Sequence, residues 1–194
     1  MKTPRFVLSA VLLALASCST LEAGLPGGGD RTRLGTFELG QRTFDAASTN
    51  CLDEQVAVGL EYATWREDGL FGYEFGVHHH VDRGTLPTVG YTTFQGYEVT
   101  AGLRRVQPLE GWAVTPYVGA GLSGWWAARD EATPSARDTE ETGLGVYARI
   151  GAMLPVDDHY VIGVDARFLQ EDAFQGGQLD LDGNTVTFFV GGFF

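Results

Sequence analysis

Three consecutive histidines, His78-His79-His80, are the side chains in this 194-residue sequence whose type and spacing come nearest to chemistry. In an extended segment His78 and His80 share one face, a spacing that can grip a metal ion or supply a general base. A metal would need a third ligand, and Asp82 is the nearest residue on that face. Two imidazoles alone are better read as structural, and the expectation is that no metal or other cofactor is held. The run Asp180-Leu181-Asp182-Gly183-Asn184 contains part of a calcium loop but not its remaining ligands or terminal Glu, so a turn into the last strand accounts for it. The loop Ala127 to Glu141 sets Asp130, Glu131, Asp138, Glu140 and Glu141 against Arg129 and Arg137, an acidic surface able to attract divalent cations or cationic partners. No nucleophile elbow, zinc-protease helix, phosphate loop or Cys-pair metal motif is present, and the chain is not expected to be an enzyme.

Whatever positions these residues must suit the composition. The formal charge is −12, from 25 acids against 13 bases, which excludes the basic surface that nucleic acid requires. Hydrophobic residues at 44% and four Trp are too many for a disordered chain. No internal run reaches the roughly 18 apolar residues of a membrane helix, so any crossing of a membrane must be made by strands. The length predicts a single folded domain.

From Leu34 onward apolar residues recur at every second position, and no long segment has a helical period. Leu144, Val146, Ala148, Ile150, Ala152 and Leu154 alternate with small or polar residues, and Val56 to Tyr62, Phe71 to Val77, Tyr97 to Leu103 and Ile162 to Phe168 do the same. The pattern predicts strands near 34–44, 55–65, 70–81, 92–105, 112–126, 142–154, 160–170 and 184–194. The intervals between them alternate strictly between long and short. An even number of strands joined by alternating long loops and short turns is the arrangement of an all-β, eight-stranded antiparallel up-and-down transmembrane β-barrel.

Periodicity alone does not say whether the apolar face meets lipid or a core. The opposite face decides, since it carries Glu38, Arg42, Glu61, Glu74, Glu98, Arg104, Arg149, Asp165 and Arg167, five acids against four bases in a strongly acidic chain. Charges enclosed in a narrow interior must find partners, whereas a solvated face need not balance. An interior ion-pair network, a polar plugged lumen and little conductance are therefore expected, because eight strands leave a space that side chains just fill. Trp65, Tyr91, Trp112, Trp125, Trp126, Tyr160 and Phe168 lie near strand ends, where aromatic rings suit the headgroup boundary.

Residues 1–17 have a charged start at Lys2 and Arg5, a short apolar stretch and a small-residue end, the pattern of a signal peptide. Leu15-Ala16-Ser17-Cys18 resembles the lipobox of bacterial lipoproteins, which implies lipidation at Cys18 and, with Ser19 following, sorting to the outer membrane. Ordinary cleavage after Ala16 or near Ala23 is the alternative. Residues 18–33, with Pro26 and Gly27-Gly28-Gly29, read as a flexible tether ahead of a barrel over 34–194, and Cys51 is then a lone thiol. Pro116-Tyr117-Val118-Gly119-Ala120-Gly121-Leu122 and the Phe193-Phe194 end resemble the small outer-membrane β-barrel family that includes the transmembrane domain of outer membrane protein A. The resemblance implies that Phe188, Val190 and Phe194 form the signal read by the barrel-assembly machinery, with Gly192 departing from the usual bulky residue. It also implies outer-membrane lipid as surroundings, periplasmic termini and long loops outside.

The reading that follows is a non-enzymatic barrel with a structural or surface-interaction role. Two others stand beside it. A lipid-anchored soluble barrel that binds a small hydrophobic ligand would need an apolar lumen. A lipid A modifying enzyme centred on His78 or His80 would resemble other small barrels of that membrane, but the His-x-Ser-Asn run of the deacylase kind is absent.

Overall fold

A computed structural model describes residues 31–44, 54–66, 71–86, 90–131, 139–171 and 182–194. The expected signal peptide, Cys18, Cys51 and the start of the Asp180 run lie outside these residues, as does the tether except for its last three positions. Within Arg31–Phe194 eight strands follow one another: β1 Thr32–Phe44, β2 Glu54–Trp65, β3 Gly72–Leu86, β4 Gly90–Val106, β5 Thr115–Glu131, β6 Thr139–Pro155, β7 Tyr160–Glu171 and β8 Gly183–Phe193. Each pairs antiparallel with its neighbours, and β1 pairs with β8, so the sheet closes into a barrel. Closure satisfies the edge N–H and C=O groups that an open sheet would expose, the condition for crossing lipid with strands.

Closure is staggered. From Gln41 the pairing runs through Val56, Val81, Gln95 and Ala128 to Glu140 on β6, while the other way round it runs through Val186 and Ala166 to Ile150. The two paths reach β6 ten residues apart. Such a stagger tilts the strands and fixes the lumen width.

The alternation places every apolar stripe on the outside. Phe37, Leu39, Leu60, Val99, Leu122, Ile150, Phe168 and Phe188 are all exposed, and the residues between them face inward. Leaving so many large apolar side chains uncovered is unfavourable in water and natural in lipid. Among the described residues no helix is long and apolar enough to cross a membrane.

Two boundaries differ from expectation for a physical reason. β3 and β4 pair out to Leu86 with Gly90, so residues 87–89 alone separate strands expected to be joined by ten residues. β5 and β6 likewise pair out to Arg129 with Thr139. The apolar period stops where lipid stops, whereas the backbone ladder continues through polar residues such as Arg83 opposite Thr93. The strict alternation of long and short connections is therefore not kept, and residues 107–114 form a longer link than 87–89. At that turn Trp112 and Val114, expected in β5, precede its first residue Thr115, and Gly111 takes the left-handed backbone that a side chain resists.

Candidate functional site

The lumen is filled in three layers. At the end holding the start of β1 and the end of β8, Leu34, Ala63, Trp65, Tyr117, Met153, Val161 and Phe189 form a buried apolar cluster with Val106 and Phe193 against it. Toward the other end, Phe94, Trp125, Ala127, Tyr147 and Leu169 form a second. Between them lie all nine charged residues read from the inward face, none more than 6% exposed.

Their connections make one network. Arg149 meets Glu61 and Asp165 directly, Glu38 at 3.4 Å and Glu74 at 3.7 Å. Arg104 pairs with Glu61 and, through Nε at 2.6 Å, with Glu74. Arg167 Nη2 donates to Glu98 at 2.8 Å, and Arg42 lies 3.8 Å from the same carboxylate. Hydroxyls complete the carboxylates: Tyr147 donates to Glu74 at 2.6 Å, Tyr117 to Asp165 at 2.9 Å, Thr187 to Asp165 at 3.0 Å and Ser123 to Glu98 at 2.9 Å. Guanidinium planes also lie over rings, Arg104 over Tyr117 at 4.3 Å and Arg42 over Trp125 at 4.0 Å.

Both inward histidines belong to this network. His78 lies 3.0 Å from Glu38 and 3.1 Å from Arg167, and His80 lies 3.3 Å from Glu98 and packs its ring 4.8 Å from Trp125. Glu98 sits between His80 and Ser123, so the hydroxyl donates to a carboxylate and not to an imidazole. Activating a serine needs the base beside the hydroxyl, and this order does not provide it. Among the described residues no three His, Cys, Asp or Glu converge as a metal site. Asp82 is half-buried and its carboxylate accepts the backbone N–H of Arg83.

Small residues make this packing possible. A Cβ on Gly59 would strike the His78 ring, and one on Gly151 would strike Tyr117 and Asp165. Those glycines are spaces into which neighbours fold.

The apolar layers are what the inward-face reading overlooked. Leu34, Trp65, Phe94, Tyr117, Trp125, Met153, Leu169 and Phe189 are buried in the lumen toward its two ends, so apolar clusters flank the charged residues. Trp65 and Trp125, expected at the headgroup boundary, point inward instead. Their parity already says so: Trp65 shares a face with Glu61, and Trp125 with Ser123. Trp112, Tyr160 and Phe168 do face outward, Trp126 is half-buried on that side, and the Tyr91 side chain is outside the described residues. His79 and Tyr97 join Trp126 there in a row of rings, 4.7 Å and 5.5 Å between centroids. Phe188, Val190 and Phe194 also face outward, and the Phe194 N–H donates to Arg33 C=O.

Charge is unequal between the two ends. Residues 43–54, 82–93, 129–142 and 170–185, the connections away from the termini with their adjoining strand ends, carry thirteen Asp and Glu against three Arg. At the opposite end, residues 31–33, 64–73, 105–116 and 155–161 carry five acids against four Arg. By sequence, most of the net −12 thus falls in the segments that link β1 to β2, β3 to β4, β5 to β6 and β7 to β8.

Residues 8–194 match the outer membrane protein beta-barrel domain family. No curated protein is detectably similar in sequence. Among solved structures, Neisserial surface protein A is similar with a TM-score of 0.59 and 14% identity, covering 87% of this chain and 99% of that one. The N-terminal barrel domain of Pseudomonas aeruginosa OprF has a TM-score of 0.57 and 13% identity, covering 87% and 100%. Yersinia pestis Ail, the attachment invasion locus protein in complex with the heparin analogue sucrose octasulfate, has a TM-score of 0.54 and 13% identity, covering 84% and 97%. These likenesses concern the fold.

Proposed function

This chain belongs to the outer membrane protein β-barrel domain family, and from that premise we propose that it is a closed, non-catalytic barrel of the bacterial outer membrane whose working surface is its acidic end. The observation that carries this reading is the filled lumen. A network of four guanidiniums and five carboxylates between two apolar clusters, all buried among the described residues, favours neither conduction nor a hydrophobic ligand in the lumen. The lipid-modifying alternative lacks an accessible base, because His78 and His80 are both buried inside that packing.

The termini then lie on the periplasmic side, and the acidic connections face outward. Their partners are divalent cations or cationic molecules, attracted by a field that weakens as salt rises. A polyanion like the heparin analogue bound to Ail would be repelled. Phe188, Val190 and Phe194 serve the assembly machinery, and Cys18 carries the lipid.

The test is binding to the full chain folded in vesicles. Calcium or a cationic peptide should bind in a salt-sensitive way and lose that binding when Asp130, Glu131, Asp138, Glu140 and Glu141 are changed to Asn and Gln. Binding left unchanged by those substitutions would overturn the surface role.

A further inference from the structure

The lipid-facing stripes on opposite walls of the barrel lie at different levels. β4 and β8 are four strands apart and face each other across the lumen. Strand by strand, Arg105 on β4 is in register with Val118, Ile150, Ala166 and finally Val186 on β8. Such a row climbs away from the termini as strand number rises, since the ascending path from Gln41 reaches Glu140 and the descending path only Ile150. The stagger makes that climb about five residues over four strands. Arg105 is therefore level with Gly191, and Asn184 with Glu98.

On β4 the outward apolar run is Tyr97, Val99, Ala101 and Leu103, bounded by half-buried Gln95 and exposed Arg105. On β8 it is Val186, Phe188, Val190, Gly192 and Phe194, bounded by exposed Asn184. Each polar bound thus stands opposite apolar residues. Asn184 is level with the gap between Tyr97 and Val99, and Arg105 with the gap between Val190 and Gly192. The β8 run sits about three residues closer to the terminal end, roughly 8 Å along the axis. Across the other diameter the runs agree. Val56, the outermost apolar residue of β2, is in register with Glu140 through Val81, Gln95 and Ala128, and so is level with Gly145, beside Leu144, the outermost of β6. The belt is slanted along one direction, β4 to β8.

A flat bilayer around an upright barrel would hold either Asn184 or Arg105 in hydrocarbon, where polar and charged side chains are costly. Tilting removes the conflict. We infer that the barrel leans in its bilayer by on the order of 20°, the end of β4 away from the termini moving toward the membrane surface and that of β8 away from it. The lean sets Gln95 and Asn184 at one headgroup level and Arg105 and the Phe194 end at the other. It also lays the β3–β4 hairpin, with Arg83 exposed on its outward side, over the lipid headgroups. The inference needs only a membrane barrel and stands apart from the surface role proposed above.

The test uses the full chain in lipid bilayers. In nanodiscs, a lipid with a nitroxide at the end of its acyl chain broadens the amide NMR signals nearest the midplane. With the β4 maximum at Thr100, the expected β8 maximum is at Val190. Maxima at Thr100 and Val186, which are level, would overturn the lean. A bilayer that bends around an upright barrel would also give Val190, so inclination is read separately, by solid-state NMR in aligned bilayers. A lean along the β4–β8 diameter makes one of the flanking strands β2 and β6 steeper to the bilayer normal and the other flatter. Equal inclinations of β2 and β6 would overturn the inference. Both readings are made on the unaltered chain.

Discussion

The middle of the lumen and its two ends are built from the same eight strands and solve opposite problems. In the middle, Arg149 faces Glu38, Glu61, Glu74 and Asp165, and Arg104 shares Glu61 and Glu74 with it. At the ends, Phe189 packs with Trp65, and Trp125 with Leu169, as apolar clusters, the second touched by charge only where Arg42 lies over the Trp125 ring. Charges withdrawn from water are costly unless paired, and their attraction grows as water is excluded. The apolar ends exclude it. The comparison teaches that the network depends on its covers, and that the proposed closure of the lumen rests on the charged and apolar layers together.

The strongest way to break the contrast is to remove a charge from the middle. Arg149→Leu leaves carboxylates without their shared partner, and unfolding in urea should show a loss of about 3–5 kcal/mol. Next is an end. Phe189→Ala opens a cavity beside Tyr117 and should cost about 3 kcal/mol, whereas Phe188→Ala, facing lipid, should cost clearly less in the same measurement. Equal losses at 188 and 189 would mean that the inward and outward faces are misassigned.

A smaller effect sharpens the packing argument. Gly59→Ala would push a methyl into the His78 ring and should lower stability by about 1–3 kcal/mol. Gly35→Ala, where the nearest atom is Phe194 Cε1 at 3.4 Å, should be close to neutral in the same urea titration.

The smallest effect lies outside the lumen, in the turn between β6 and β7. Asp157 accepts the backbone N–H groups of His159 and Tyr160, each at 2.7 Å, and these bonds hold its carboxyl below the usual range. A group whose folded pKa is depressed stabilises the fold above its unfolded value and loses that contribution as pH falls through the folded one. Asp157→Asn should therefore be slightly less stable than the parent at neutral pH, with the difference vanishing in strong acid.

How much of this was legible in the sequence depends on which face is considered. The outward stripes are uniform because lipid makes one demand of every position, so a period of two suffices to find them. The charged inward residues were legible because balanced charge on one face of an acidic chain implies enclosure. Trp65 and Trp125 were not assigned correctly, because an aromatic near a strand end suits both the headgroup boundary and a lumen plug, and only the parity separates them. The ladder beyond Asp82 and Thr92 leaves no mark in the sequence because backbone pairing there involves no apolar pattern. The pairing of Arg149 with residues on β1, β2, β3 and β7 is a product of closure, which no local pattern encodes.

The central claim is that the barrel is closed by its own side chains. Its most direct test is conductance across a planar bilayer, using protein shown to be folded by its mobility shift on heating in SDS. The account predicts a baseline without steady channel steps. A stable ohmic conductance from the unaltered folded chain would contradict it and would require an aqueous path through the ion pairs and both apolar layers.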